Sequence, residues 1–257
     1  MSGHPAVTTE WTPRRDAARI ARVVVDNQAK LNILDSRLCA ALRNTLVELA
    51  DEADLRAVVL TGAGDRAFIG GADIREMSQL DPKSARRFIT GLHEVCAALL
   101  ALPVPVIARV QGYCLGGGLE VAASCDMRVA DESAKFSMPE VRVGIPSVIE
   151  AAVLPRLIGW GKTCELLFTG AMWDSQEALS AGFLQRSVPA AELDDAVDGW
   201  LDGIVASGPR AIRAQKALMQ KWAALPLDEA IQAGIDAFAA AYETDEPRNL
   251  MSAFLNR

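Results

Sequence analysis

A glutamate that follows a run of glycines is the feature of this sequence most suggestive of chemistry. Residues 112–126 follow an apolar run near 104–110, begin with closely spaced glycines and continue as alanine, leucine and valine at helical spacing. We expect a strand that passes through the glycines into a helix, with Glu120 in the first helical turn. Glycines allow another group to approach the backbone closely, and the first N–H groups of a helix have no partner within it.

This arrangement favours an oxyanion hole over a phosphate site. The Gly-Lys-Ser/Thr ending of a phosphate-binding loop is absent, and Glu120 would repel a ligand that arrives charged. A carbonyl oxygen that gains charge only during reaction is a better match, with Glu120 as the acid or base beside it. On this stretch alone, a purely structural role in which Glu120 complements the helix dipole is equally compatible.

Composition narrows the classes of function. The chain has 257 residues, of which 51% are hydrophobic, and a formal net charge of −7, so we expect a substantial core and no contact with nucleic acid or a membrane surface. No signal peptide or membrane span is recognisable, and the expected location is the cytoplasm. These features favour chemistry on a small molecule.

Cysteine and histidine offer little to a catalytic or metal site. The five cysteines contain no Cys-x-x-Cys pair, which argues against a disulfide framework and a zinc site. The two histidines are His4, near the end of the chain, and His93, which lies in a helical pattern and is interpreted as a residue of a helix face. Carboxylates and backbone amides must therefore carry any chemistry.

Hydrophobic periodicity predicts alternating strands and helices followed by a helical tail. Strands are expected at 18–26, 55–62, 104–110, 127–130 and 134–137, and helices at 36–53, 82–100, from Ser147 to 158, 160–168 and 174–181. Helical pattern continues from about 192 to the end. We predict an irregular α/β spiral over 1–191 and a helical region over 192–257, whose apolar residues need a surface to cover.

Five motifs in order together resemble those of the crotonase, or enoyl-CoA hydratase/isomerase, family. They lie at 67–77, 112–120, 138–140, 155–159 and 169–182, and the resemblance extends over essentially the whole chain. The resemblance implies a spiral of ββα units with a C-terminal helical region that builds trimers, often paired into hexamers. It also implies an acyl-coenzyme A thioester as the ligand.

The resemblance carries specific roles to residues of this chain. It places the N–H groups of Ala72 and Gly117 on the thioester carbonyl and Glu120 and Glu140 at the two carboxylate positions of the hydratases. Coenzyme A is then part of the substrate, and neither a separate cofactor nor a metal is expected. The residues expected to contact substrate or coenzyme A are Lys30, Leu31, Gly70, Gly71, Asp73, Ile74, Gly116 and Arg257, the last of these on the C-terminal helix of a neighbouring subunit.

Retention of both glutamates favours an enoyl-CoA hydratase, which adds water across the 2,3-double bond. Two carboxylates that face one substrate do not both ionise readily, so the pair can keep a proton and hold a water. The alternatives are an enoyl-CoA isomerase or acyl-CoA hydrolase of the same fold, and a homologue that binds acyl-CoA without catalysis.

One segment departs from the family pattern. Hydratases usually carry a glycine-rich turn between the second glutamate and the following helix, whereas this chain has a different sequence at 144–150, with residues bulkier than glycine at 148–150. The wall of the acyl pocket must therefore differ. Glu150 is either an additional acid or base or the partner of Ser147 in a capping box, and the Ser-x-x-Glu spacing favours the cap.

Overall fold

The computed structural model describes residues 5–14 and 18–256, and this part of the chain forms ten strands and ten α-helices. The strands are β1 (Ala6–Pro13), β2 (Arg19–Asp26), β3 (Leu55–Gly62), β4 (Ala67–Ile69), β5 (Val106–Val110), β6 (Tyr113–Leu115), β7 (Met127–Asp131), β8 (Lys135–Ser137), β9 (Trp173–Asp174) and β10 (Arg186–Val188). The helices are α1 (Ser36–Ala50), α2 (Ile74–Met77), α3 (Pro82–Ala101), α4 (Gly117–Ala123), α5 (Leu154–Thr169), α6 (Ser175–Ser180), α7 (Leu193–Ala206), α8 (Pro209–Ala224), α9 (Leu227–Ala241) and α10 (Glu246–Leu255).

The strands form two sheets that the chain visits in turn. The larger sheet has the order β1-β2-β3-β5-β7-β10 and is parallel from β2 onward; the smaller has the order β4-β6-β8-β9, with β4, β6 and β8 parallel. Successive units place one strand in each sheet before a helix: β3 and β4 precede α2 and α3, β5 and β6 precede α4, and β7 and β8 precede α5. The predicted spiral of ββα units is therefore confirmed.

Both faces of the large sheet are covered, which explains why its central strands are almost continuously apolar. In β3, Val58 and Leu60 face the main core, which also takes the buried faces of α1 and α3. Their neighbours Ala57 and Val59 lie in a second cluster with one face of α7. The alternation follows from the two-residue period of a strand.

Local sequence signals set the starts of the core helices. The Asp35 side chain accepts a hydrogen bond from the Leu38 N–H and caps α1. Asp81 and Ser84 form a capping box at the start of α3, with Pro82 in the first turn. These helix starts agree with the sequence prediction, because the signals involve residues three positions apart.

The structure differs from the sequence analysis in two places. No strand was assigned before residue 18, yet β1 pairs antiparallel with the whole of β2. The predicted Ser147–Glu150 capping box is absent: a 3-10 helix, Ile149–Val153, begins there without a side-chain cap, and α5 follows at Leu154. Both side chains have partners distant in sequence, Glu140 for Ser147 and His93 for Glu150.

A buried lysine attaches the C-terminal helices to the core. Lys216 of α8 is 6% exposed, and its Nζ donates to Asp126 Oδ2 and to the Val104 carbonyl, each at 2.8 Å. The same Asp126 oxygen accepts from the Val106 N–H at 2.7 Å. The start of β5, the end of α4 and the middle of α8 therefore meet at one ammonium group.

No helix in the described ranges is long and apolar enough to cross a membrane. The C-terminal helices nevertheless expose many large apolar side chains. These are Met219, Trp222, Leu227, Ile231, Ile235, Phe238, Leu250, Met251, Phe254 and Leu255.

We predict that Lys216→Met lowers the free energy of unfolding by roughly 2 to 4 kcal/mol, because it leaves Asp126 and a carbonyl without their buried donor. Chemical denaturation followed by circular dichroism measures the change. Lys221→Met, on the exposed surface of the same helix, is the matched control. Equal midpoints for the two variants would contradict this account of Lys216.

Candidate active site

The loop after β4 is held open by its backbone contacts with the segment before α1. The Gly70 N–H donates to the Leu31 carbonyl at 2.8 Å. The Leu34 N–H donates to the Gly71 carbonyl, and the Leu34 carbonyl accepts from the Asp73 N–H, also at 2.8 Å. Because alternate residues of an extended chain point in opposite directions, the N–H of the intervening Ala72 points away from Leu34. In the described ranges this N–H has no acceptor.

The second N–H group belongs to Gly117, the first residue of α4, and it likewise has no acceptor among the described residues. Two glycines make this junction possible. Gly116 has φ of 51°, and a Cβ there would lie 2.5 Å from Glu140 Oε1. A Cβ at Gly118 would lie 2.2 Å from the Ile69 carbonyl, so glycine lets α4 pack directly against β4.

These elements surround a cavity of about 220 Å³. The sequence-predicted residues that line it are Gly70, Gly71, Ala72, Ile74, Gly116, Gly117, Glu120 and Glu140. The rest of the lining is mainly apolar and comes from α2, α3 and the 143–148 segment: Met77, Phe88, Ile89, Leu92, Leu115, Pro139, Val143, Ile145, Pro146 and Val148. The fold thus brings both predicted N–H donors and both predicted glutamates to one small apolar chamber.

Glu120 is a buried carboxyl group with a single hydrogen-bond donor. It is 3% exposed, and its Oε1 accepts from the Ala151 N–H at 3.0 Å. Burial raises the pKa of Glu120 to about 8; the Ala151 N–H opposes this rise, and the charges of Glu140 and Glu150 add to it. Glu120 therefore holds a proton at neutral pH.

Glu140 is less buried and has a different donor. Its carboxyl group lies over Gly116, and Oε2 accepts from the Ser147 hydroxyl at 2.9 Å. Burial raises the pKa of Glu140, while its own N–H and the Ser147 hydroxyl favour the charged form. The site thus contains two carboxyl groups in unlike surroundings, the arrangement that separates an acid from a base.

The other predicted contacts lie outside the cavity lining. Asp73 is the N-cap of α2: burial raises its pKa, but the N–H groups of Arg75 and Glu76, together with Lys30, bring it below its usual value. Lys30 Nζ lies 3.5 Å from Asp73 Oδ2, and its side chain is half exposed. Leu31 lines a separate cleft of about 240 Å³ next to the loop. Arg257 lies outside the described residues, so its predicted contact is not tested.

Sequence reasoning missed three parts of this site. The Ser147 hydroxyl was assigned to a cap but donates to Glu140, and the Ala151 N–H supports Glu120. His93 was placed on a helix face without a partner, whereas its Nδ1 lies 2.8 Å from Glu150 Oε1. The only available signal was the departure at 144–150, which marked the segment without indicating its partners.

The geometry agrees with the result of sequence comparison. Residues 15–257 match the sequence profile of a family described as enoyl-CoA hydratase/isomerase. The chain belongs to this family. Among its relatives, the short-chain-enoyl-CoA hydratase of Clostridium acetobutylicum is 33% identical and the crotonyl-CoA hydratase of Syntrophomonas wolfei is 32% identical. Each alignment spans 240 residues, 93% of this chain and 92% of the relative.

Solved structures of enoyl-CoA hydratases have the same fold. The enzyme from Bacillus anthracis superposes with a TM-score of 0.91 at 30% identity, covering 97% of this chain and 96% of that one. The enzyme from Mycobacterium smegmatis gives a TM-score of 0.92 at 27% identity, covering 98% and 97%. The enoyl-CoA hydratase/isomerase fold thus extends over nearly the whole chain.

We predict that Glu120 makes stability depend on pH. Between its unfolded and folded pKa values, a carboxyl group with a raised pKa binds more protons in the folded state than in the unfolded state. The contribution of Glu120 to the free energy of unfolding is therefore highest below about pH 4.5 and falls until about pH 8. Between about pH 5 and about pH 7.5, wild type should lose up to about 3 kcal/mol more unfolding free energy than Glu120→Gln, at 1.36 kcal/mol per pKa unit.

Urea denaturation at both pH values measures this difference. Glu94→Gln removes an exposed carboxylate from α3 and should behave as wild type. If wild type and Glu120→Gln lost equal free energy over this range, the assignment of a proton to Glu120 would be wrong.

Proposed function

We propose that this protein is an enoyl-CoA hydratase that adds water across the 2,3-double bond of a 2-enoyl-CoA thioester. The observation that carries the proposal is the cavity itself, which joins two carboxyl groups of raised pKa to two N–H groups without an acceptor. Membership of the enoyl-CoA hydratase/isomerase family and relatives named as hydratases support it.

The thioester oxygen accepts hydrogen bonds from the Ala72 and Gly117 N–H groups. When water attacks C3, electron density moves through C2 to this oxygen, and two fixed donors stabilise the resulting enolate; losing one such donor typically costs about 2.7 to 4 kcal/mol of barrier. The attacking oxygen becomes the C3 hydroxyl and its proton passes to the unprotonated carboxylate of the pair. The protonated carboxyl delivers its proton to C2, and one proton remains on the pair for the next turnover.

The acyl group that suits this cavity is short and uncharged. Apart from the two glutamates, the lining contains no ionisable side chain in the described ranges, and α3 and the 143–148 segment supply apolar walls. A carboxylate on the acyl chain would meet two carboxyl groups and no cation. The relatives named for short-chain and crotonyl substrates are consistent with this choice.

Coenzyme A is part of the substrate in this proposal, and no separate cofactor takes part. Lys30 lies beside the oxyanion loop with half of its side chain exposed, where an ammonium group can meet a phosphate. Leu31 lines the adjoining cleft. Arg257, near the end of the chain, is proposed as a second cation for coenzyme A.

We also propose that the protein works as a trimer or a pair of trimers in the cytoplasm. The large apolar side chains exposed on α8, α9 and α10 support an assembly, because a stable monomer rarely leaves so many together in water. Five cysteines without a disulfide are compatible with a reducing compartment. Light scattering coupled to gel filtration determines the assembly.

We predict that the purified protein converts crotonyl-CoA to a product heavier by one water, with loss of the absorbance of the conjugated thioester. Glu120→Gln and Glu140→Gln should each lower kcat by about 10² to 10⁴, the usual contribution of an acid or base, and leave binding of the substrate nearly unchanged. Rearrangement of a 3-enoyl-CoA without water addition would instead identify an isomerase. Binding without turnover of either substrate would identify a non-catalytic homologue.

We predict that Gly116→Ala impairs turnover far more than Gly144→Ala. Both glycines have positive φ, 51° and 82°, so either alanine strains the backbone. Only the Cβ at position 116 meets Glu140 Oε1, whereas a Cβ at position 144 meets no atom within 4 Å. Since a displaced catalytic group costs about 10²-fold in rate, kcat should fall by that order for Gly116→Ala alone. Similar losses of kcat in both variants would show that displacement of Glu140 is not the cause.

A further inference from the structure

Behind Glu120 lies a third carboxylate that the reaction described above does not use. Glu150 is 6% exposed, and its Oε1 lies 2.8 Å from Nδ1 of His93 on α3. Its other oxygen, Oε2, is buried without a hydrogen-bond partner. A half-satisfied carboxylate in the interior is costly, so it calls for an explanation.

Glu150 does not face the substrate. The cavity is lined by Val148 but not by Ile149, Glu150 or Ala151. Glu150 also has no capping role, because the 3-10 helix Ile149–Val153 begins without a side-chain cap. Glu150 is therefore placed neither as an additional acid or base on the substrate nor as a helix cap, the two roles that the sequence suggested.

The backbone connects Glu150 directly to Glu120. Ala151, the next residue, donates the one hydrogen bond that the Glu120 carboxyl group receives within the described part of the chain. Ile149, the preceding residue, has φ of 39°, a conformation that a β-branched residue adopts only when its surroundings impose it. The His93–Glu150 hydrogen bond joins this strained turn to α3.

The groups around Glu120 make the charge of Glu150 important. The 3-10 helix that contributes Glu150 packs against α4 and α3, and α3 also packs against α4. Among the ionisable groups of these elements and of the 140–143 turn, the charges of Glu140 and Glu150 act on Glu120, and Cys96 and His93 lie beside Glu150. The others are exposed; they are Lys83, Arg86, Arg87, Glu94 and Arg142. Burial raises the pKa of the Cys96 thiol, with Glu150 and Glu120 adding to it, so the thiol stays neutral. In the described ranges, the half-exposed His93 is the one basic side chain that contacts Glu150.

We propose that Glu150 and His93 are positioning residues for Glu120: their contact fixes the turn that presents the Ala151 N–H to Glu120, and the Glu150 carboxylate adds to the effect of burial in keeping a proton on Glu120. This inference rests on the proposed hydration and deepens it, because the pair of catalytic carboxyls works with one proton. His93 connects the arrangement to solvent, while neither residue touches the substrate.

Two variants of Glu150 separate its charge from its contact. Glu150→Gln keeps the size and removes the charge, and Glu150→Asp keeps the charge and shortens the reach to His93. We expect Glu150→Gln to lower kcat about 10- to 100-fold with KM changed less than about threefold, and to move the alkaline limb of the kcat profile to lower pH. Glu150→Asp should lower kcat but leave that limb near its wild-type position.

His93→Gln tests the contact from the surface side, where the half-exposed histidine can be replaced without burying a new group. We expect a fall in kcat of about fivefold at unchanged KM. Glu94→Gln, the next residue of α3 but directed to Arg43, should change neither kcat nor the pH profile. If Glu150→Gln does not fold, His93→Gln and Glu150→Asp decide the proposal by the same readouts.

Wild-type kcat and an unmoved alkaline limb in folded Glu150→Gln, with Glu120→Gln inactive, would overturn this proposal and leave the proposed function intact. Failure of wild type to hydrate any 2-enoyl-CoA would overturn the function instead. The positioning role is then tested by stability alone. The free energies of unfolding of wild type and Glu120→Gln should differ over a range of pH, and when Glu150→Gln is present in both proteins this range should end at a lower pH. An unchanged range would overturn the positioning role.

Discussion

The organising constraint of this molecule is the burial of carboxyl groups in an apolar chamber. Transfer of an ionised carboxylate into such surroundings is unfavourable unless donors or cations meet it, and the carboxyl groups of Glu120 and Glu140 each receive one donor from other described residues. Glu120 responds by keeping a proton, whereas the more exposed Glu140 is stabilised by the Ser147 hydroxyl. Because the two glutamates differ in their surroundings, one carboxyl group can donate a proton while the other accepts one.

The two-sheet spiral makes such a chamber possible. In each unit the chain leaves the large sheet, adds a strand to the small sheet and then enters a helix. The loop that carries the Ala72 N–H and the start of α4 therefore follow the neighbouring strands β4 and β6, which pair in parallel. Parallel pairing brings their ends together, so N–H groups from loops 45 residues apart can face a single oxygen. Glycine at position 118 completes the approach, since no side chain separates α4 from β4.

The 144–151 segment gives this chain its own version of the site. This segment supplies the Ser147 hydroxyl to Glu140, the Ala151 N–H to Glu120 and Val148 to the cavity wall. It also brings Glu150 and His93 together behind Glu120. The polar contacts of the two glutamates thus come from one short stretch, which links the shape of the acyl pocket to the protonation of the pair.

Sequence alone determined the features that depend on near neighbours or on a recognisable motif. The caps at Asp35 and Asp81 involve residues three positions apart, and the positions of Glu120, Glu140, Ala72 and Gly117 followed from motifs that the fold then brought to one cavity. Only the tertiary structure decided the partners of Ser147, His93 and Glu150. The Ser-x-x-Glu spacing at 147–150 satisfies a local rule, but the tertiary packing offers Ser147 a partner 7 residues away and Glu150 a partner 57 residues away on α3. Spacing encodes contacts within one turn of chain, whereas these hydrogen bonds depend on which surfaces the spiral packs together.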